Sequence, residues 1–202
     1  DGTVAATYSS GAPYQYLWTV PDVMAGNASI RFDKMKIRTA LLGAENYTKD
    51  DSNNPFYIVP KIDITRPDAL NNTFYVDSYE NITWASNGTL DYVNVYRSAD
   101  GGGNWTLVAN HTLNNGVYTW QVPNILGNQT RVRVSSYYDN TTPEARGLSI
   151  NFTIKPKIDM VYPIGGEEVV VGQNCQIQWN PHGTVGTLNI SYSNNSGLNW
   201  TP

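Results

Sequence analysis

Apolar and polar residues alternate with a period of two in Glu80 to Ala85, Tyr92 to Arg97, Trp105 to Ala109, Val117 to Val122, Thr130 to Tyr137 and Leu148 to Lys155. Successive side chains of a strand point to opposite faces, so each segment predicts a half-buried β-strand. No helical periodicity of useful length competes with this pattern. Asn87-Gly88, Asp100-Gly101-Gly102-Gly103 and Asn115-Gly116 fall between the strands. Hairpin turns need positive φ there, and Gly or Asn adopts it at low cost.

The pattern recurs along the chain. Ile62-Asp63 through Ile82-Thr83-Trp84 to Asn104-Trp105-Thr106 is matched by Ile158-Asp159 through Ile177-Gln178-Trp179 to Asn199-Trp200-Thr201. Trp120-Gln121-Val122-Pro123, with Arg133 beyond it, is matched by Trp18-Thr19-Val20-Pro21 with Arg31. Phe152 to Asp159 likewise matches Phe56 to Asp63. Residues 62–157 therefore read as one complete unit, 158–202 as the N-terminal half of the next, and 1–61 as the C-terminal half of another. About seven short strands in roughly 96 residues predict an immunoglobulin-like β-sandwich, so the expected fold class is all-β, with tandem Ig-like repeats of about 95–105 residues.

The 202 residues then represent two periods of a longer array, cut at an arbitrary phase. The alternative is one intact domain with two arms. Half a sandwich exposes an apolar sheet face and free strand edges, so each end piece is expected to find its missing half in another copy, end to end. The joints Pro60-Lys61-Ile62-Asp63 and Pro156-Lys157-Ile158-Asp159 contain proline and no Gly/Ser spacer, which predicts a stiff rod.

The six tryptophans occupy three equivalent positions: Trp84 with Trp179, Trp105 with Trp200, and Trp120 with Trp18. Trp84 shares strand parity with Ile82 and Trp179 with Ile177, so a core role is expected for the set rather than a sugar-stacking platform. Tyr14, Tyr16, Tyr137 and Tyr138 are less tied to the pattern and remain available for contacts, although ordinary strand tyrosines are the simpler account.

Charge narrows the partners. Lys and Arg number 13 against 17 Asp and Glu, giving a net charge of -4, so no basic excess exists to neutralise nucleic-acid phosphates. No apolar run approaches the ~20 residues of a membrane helix, and no signal peptide or lipid-anchor motif is visible. The expectation is no nucleic acid and no membrane insertion in this segment.

Asparagine placement carries the strongest functional signal. Asn-x-Ser/Thr sequons begin at Asn27, Asn46, Asn71, Asn81, Asn87, Asn104, Asn110, Asn128, Asn140, Asn151, Asn189, Asn194 and Asn199. Composition alone would give about four such sites. Asn151 lies between Ile150 and Phe152, and Asn189 between Leu188 and Ile190, so parity turns both toward solvent. Covalent N-glycans are expected at several sites and no other cofactor. They imply an extracellular or cell-surface location, with a polar coat over strand edges and only the domain ends free for protein contact.

Candidate chemistry is sparse. Ser98 to Trp105 resembles the Asp-box hairpin of sialidase-like propellers, and Ser193 to Trp200 is a degraded copy with Asn195 in the aspartate position. In that family the box is a structural turn remote from catalysis. His111 and His182 occupy unrelated positions in the pattern, and Cys175, the single cysteine, reads as a free thiol where the central unit has Glu80. Asp50-Asp51-Ser52-Asn53-Asn54 has oxygen ligands without full calcium-loop spacing and reads as a solvated turn. Neither catalytic nor metal-ligating residues are expected.

Tyr162-Pro163-Ile164-Gly165-Gly166-Glu167 with Ile177-Gln178-Trp179, the Ser98 to Trp105 hairpin, the Trp120 to Pro123 block and Arg131 to Ser136 together resemble the Ig-like repeats of fungal and oomycete cell-wall proteins, including the Ser/Thr-rich GPI-anchored group, and of large microbial surface proteins. The central unit departs at Arg66-Pro67-Asp68, which replaces the Tyr-Pro-x-Gly-Gly-Glu opening. The resemblance implies a non-enzymatic structural protein of a filament, hair or surface layer. The competing expectation is an adhesin or glycan-binding stalk module, and a third is a cell-wall-remodelling enzyme whose catalytic domain lies outside this segment.

Overall fold

The computed structural model describes residues 17–22, 25–33, 49–137 and 144–202, which contain fifteen β-strands and no helix. Nine strands lie between residues 61 and 155: β5 (Lys61–Arg66), β6 (Thr73–Tyr75), β7 (Tyr79–Asn87), β8 (Tyr92–Ser98), β9 (Thr106–Leu113), β10 (Val117–Gln121), β11 (Gly127–Ser136), β12 (Arg146–Leu148) and β13 (Phe152–Lys155). One sheet has the order β10-β7-β5. The other has the order β6-β13-β11-β8-β9, with β12 also paired to β11. β6 runs parallel to β13, while the other pairings in these two sheets are antiparallel.

The two sheets share one core, and its residues follow the two-residue period of the strands. Ile82 and Trp84 of β7 and Trp120 of β10 face Val93 and Val95 of β8, Val132 and Val134 of β11, and Phe152 and Ile154 of β13. Each buried side chain of this size stabilises the fold by ~1.5–3 kcal/mol. Phe74, Trp120 and Phe152 form an aromatic cluster with centroids 5.0 to 6.5 Å apart. Trp84 Nε1 donates to Asn114 Oδ1 at 2.7 Å, and Asn114 Nδ2 donates to the Leu90 carbonyl and the Ser86 hydroxyl. The indole is therefore buried without an orphaned donor.

The expected continuous strand from Leu148 to Lys155 is instead broken between β12 and β13. Ser149 Oγ accepts the Val132 amide at 2.9 Å and donates to the Ile150 carbonyl, while the Arg131 guanidinium takes the Ser149 carbonyl. These side-chain bonds compete with ladder pairing where the strand is interrupted at Ser149.

Pairings of the central nine strands recur on both sides. β14 (Lys157–Tyr162) and β15 (Gln178–His182) pair Ile158 with Pro181, Asp159 with Asn180 and Met160 with Trp179, as β5 and β7 pair Ile62 with Ser86, Asp63 with Ala85 and Ile64 with Trp84. The register shift follows in both. On the other side, β1 (Ala25–Ala28) and β4 (Phe56–Ile58) pair Ala25 with Ile58 and Ala28 with Phe56, in the manner of Gly127 with Ile154 and Thr130 with Phe152. β2 (Arg31–Asp33) pairs with β3 (Lys49–Asp51) as β11 pairs with β12. The Ser52 amide donates to the Ile30 carbonyl at 2.8 Å, as Ser149 does to Val132 at 2.9 Å. Trp18 meets Phe56 edge-on at 6.1 Å, as Trp120 meets Phe152 at 6.3 Å.

Candidate functional site

The Ser98 to Asn104 turn is organised by Asp100. Its Oδ1 accepts the Asn104 amide at 2.9 Å and the Ser98 hydroxyl at 2.6 Å, and Oδ2 accepts Asn104 Nδ2 at 2.7 Å. Ser98 Oγ in turn accepts the Gly102 amide. Donation to the charged form, first from the Asn104 amide and then from the Ser98 hydroxyl, holds Asp100 well below the usual carboxylate range. The 193–199 turn repeats the set with an amide side chain. Asn195 Oδ1 accepts the Asn199 amide at 2.9 Å and the Ser193 hydroxyl at 2.8 Å, and Ser193 Oγ accepts the Gly197 amide. Asn195 makes both Oδ1 contacts uncharged, without a counterpart of the bond from Asn104 Nδ2 to Asp100 Oδ2, so the turn uses Oδ1 as an acceptor.

Two further carboxylates cap the openings of the central and following segments. Asp68 Oδ1 accepts the amides of Leu70 and Asn71, and Glu167 accepts those of Ile164 and Gly165. The Asn71 amide and the Ile164 amide are the leading causes that lower the respective acids. The departure at Arg66-Pro67-Asp68 thus retains a carboxylate-capped turn.

Contacts at the two joints match. Across the first, Thr89 donates its amide to Asp22 Oδ1 at 2.6 Å and its hydroxyl to Asp22 Oδ2 at 2.7 Å. Across the second, the Thr184 amide donates to Asn124 Oδ1 at 3.1 Å and Asn124 Nδ2 donates to the Thr184 hydroxyl at 2.8 Å. Asp22 and Asn124 each follow a Val-Pro pair, and Thr89 and Thr184 each follow a glycine four residues beyond Trp84 or Trp179. The glycines are required at both places. Gly88 has φ +92° with Pro60 against it, and a Cβ on Gly183, at φ +80°, would meet Val76 at 2.8 Å. The second joint adds His182, whose Nδ1 lies 3.2 Å from Asp77 and Nε2 3.0 Å from Asp159. The sequence reading did not identify Asp22, Asn124, Thr89 or Thr184. The Val-Pro-Asp/Asn and Trp-x-x-x-Gly-Thr motifs were the available signal.

The tryptophans divide. Trp84 and Trp120 lie in the core. Trp105, expected there too, is half-buried outside it beneath Arg133, whose guanidinium sits 5.0 Å from the indole and 4.2 Å from the Tyr96 ring. Tyr96 and Arg133 are opposite partners on the outward face of the larger sheet, so Trp105 covers an outer cation–π stack. Trp18 is half-buried against Phe56, while Trp179 and Trp200 are exposed. Asn71, Asn81, Asn87, Asn104, Asn110, Asn128, Asn151, Asn189, Asn194 and Asn199 are all exposed. Asn27 belongs to β1, with its side chain outside the described residues, as are Asn46 and Asn140 altogether. Asn94, Asn114 and Asn195 are half-buried and hold internal hydrogen bonds, and none of the three begins a sequon.

One aromatic patch is exposed on the central sandwich. Tyr92 stacks on His111 at 4.0 Å, His111 meets Tyr137 at 4.5 Å, and a shallow depression beside them is lined by Thr89, Leu90, Asp91, Tyr92 and Tyr137. Tyr14, Tyr16 and Tyr138 lie outside the described residues. Cys175 is exposed. Among the described residues no group of three or more His, Cys, Asp or Glu side chains is arranged to hold a metal, and no helix is long and apolar enough to cross a membrane. No protein-family model matches the chain, and none of the curated proteins matches it.

Proposed function

We propose that the chain is a non-enzymatic, N-glycosylated structural protein of the cell exterior, built from tandem Ig-like units stacked into a stiff filament, hair or surface-layer element. The observation that carries this reading is the recurrence of one joint: Asp22 with Thr89, then Asn124 with Thr184, each sealed by a close-packed glycine. Flexible linkers let neighbouring domains reorient, whereas a hydrogen-bonded joint that recurs with the period propagates one geometry along an array. The strand order β10-β7-β5 against β6-β13-β11-β8-β9, with its parallel β6 and β13, supports the Ig-like assignment. Exposure of every sequon whose side chain is described supports the glycan coat.

Electron microscopy of the native material, with intact mass before and after glycan removal, tests the reading. Regular filaments with an axial repeat of two domains and a mass loss are expected; dispersed particles of unchanged mass would refute it.

A second reading, a glycan-binding or adhesive stalk module, is favoured by the Tyr92, His111 and Tyr137 patch beside Asp91, since exposed rings can stack on sugar faces while a carboxylate accepts from hydroxyls. Binding of the chain to a glycan array, lost in Tyr92→Ala and Tyr137→Ala, would support that reading over the first.

A further inference from the structure

Strand β9 carries one residue too many where it passes Asn94. Val95 pairs with Ala109 and Val93 with Thr112, so Asn110 and His111 together oppose the single Asn94. Such a bulge re-aims the side chains it displaces. Val93 and Val95 are buried in the core, whereas the His111 ring lies outside it, in contact with both Tyr92 and Tyr137. The His111 backbone is left-handed, with φ 51°, a region that a residue with a Cβ occupies only at a cost. Asn94 Oδ1 holds it there by accepting the His111 amide at 2.8 Å.

Burial does not explain this arrangement. His111 is exposed, as are Tyr92 at 39% and Tyr137 at 47%, so a strained backbone and an internal hydrogen bond keep three rings at the surface of the central sandwich. Outliers of this kind cluster where a chain holds a ligand. The depression beside the rings adds Asp91, whose carboxylate oxygens accept hydrogen bonds. Ring faces next to an acceptor match a pyranose, which has an apolar C–H face and a rim of hydroxyl donors.

The attachment point for such a sugar is the neighbouring residue. Asn110 is exposed and opens the sequon Asn110-His111-Thr112, so the middle residue of the sequon is the ring that joins the two tyrosines. We infer that the Tyr92, His111 and Tyr137 patch is the seat of the chain's own N-glycan at Asn110, whose proximal sugar packs on the rings and donates hydroxyls to Asp91. The inference rests on the glycan coat proposed above and gives one of its sugars a fixed position. A covalently tethered sugar meets the rings at high effective concentration, so a contact too weak to hold a free sugar suffices. The seated glycan also fills the place that a foreign sugar would take.

Site-resolved glycan release from the folded, glycosylated chain tests the seat. An amidase that cleaves the bond between asparagine and glycan is expected to act on Asn110 about twofold faster in Tyr92→Ala than in the unaltered chain. Tyr92→Phe keeps the ring and should leave the rate unchanged. Release from Asn128 is expected to be equal in all three chains, which separates loss of the seat from general unfolding. In proton NMR, the sugar on Asn110 should show upfield ring-current shifts that disappear in Tyr92→Ala. Release and shifts at Asn110 that ignore Tyr92→Ala overturn the inference. So does equal binding of free glycans by the unaltered chain and by Asn110→Gln, since the patch would then stand open. Mass at the remaining sequons separates the two ideas. Glycans elsewhere with none on Asn110 overturn only the seat, whereas none at any site removes the coat as well.

Discussion

Asp22 holds Thr89 through both carboxylate oxygens, one on the backbone amide and one on the hydroxyl, across 67 residues of sequence. The amide donation, followed by the hydroxyl, keeps this exposed acid below its ordinary pKa. Asn124 offers the equivalent pair of contacts to Thr184 with one acceptor and one donor. The joint therefore needs two polar atoms at that position and does not need a charge.

Asp22→Asn is accordingly expected to keep the first joint closed, since Asn124 is its natural counterpart. Asp22→Ala and Thr89→Val should loosen it. Label distances between residues 17–22 and the central sandwich are the readout: a broadened distribution is expected for the last two variants and an unchanged one for the first. Broadening in Asp22→Asn equal to that in Asp22→Ala would contradict the matched-joint account.

Acid should weaken the Asp100 turn. Its folded pKa lies below the unfolded value of about 3.9, so the stabilisation is complete above that value and disappears as pH falls through the acid range below it. Asp100→Asn, copying Asn195, is expected to fold and to show a shallower loss of thermal stability between neutral and acid pH. An acid limb identical to that of the unaltered chain would assign the pH dependence to other groups.

Tryptophan truncations should separate the core of the central sandwich from residues 158–202. Trp84→Ala leaves a large cavity and removes the donor to Asn114, at an expected cost of about 3–5 kcal/mol. Trp179→Ala should cost less than Trp84→Ala, because that indole is 37% exposed against 4% for Trp84. Denaturant unfolding followed by fluorescence measures both, and equal costs would show that the two tryptophans share one environment.

Gly147→Ala should destabilise strongly for a reason unrelated to φ. A Cβ at this point of β12 would lie 2.6 Å from the Ile62 carbonyl oxygen, and backbone cannot move aside as a flexible side chain can. Separating β12 from β5 is expected to cost about 1–3 kcal/mol or more. An unchanged melting temperature would mean that the two sheets tolerate a wider gap there.

The glycan coat makes a site-by-site prediction. Each single Asn→Gln change at Asn71, Asn81, Asn110, Asn128 or Asn151 should remove at most one glycan from the intact mass and alter stability by no more than ~0.5 kcal/mol, since these side chains face solvent. Asn87 is a special case, because the Thr89 hydroxyl of its sequon is engaged by Asp22. Its occupancy is expected to rise in Asp22→Ala if modification follows joint closure, and site-resolved mass spectrometry of the two chains reads this directly.

Alternation with a period of two and the turn glycines by themselves determined strands β7 to β11 and the inward side of Ile82, Trp84 and Trp120. These are consequences of local backbone geometry, since a pleated strand sends neighbours to opposite faces wherever it lies. Of the inward neighbours expected beside Asn151 and Asn189 only Phe152 is buried, whereas Ile150, Leu188 and Ile190 are exposed. Tertiary structure alone decided the rest. Trp105 lies outside the core because Val95 and Val134 occupy the inward sites beside it and Arg133 supplies an outer surface to stack on. The strand is interrupted at Ser149, whose hydroxyl takes the amide of Val132, 17 residues earlier. The joints depend on partners 60 and 67 residues apart, and no local period encodes which Thr an Asp or Asn beyond a Val-Pro pair will meet until the sheets have packed and brought the domain ends together.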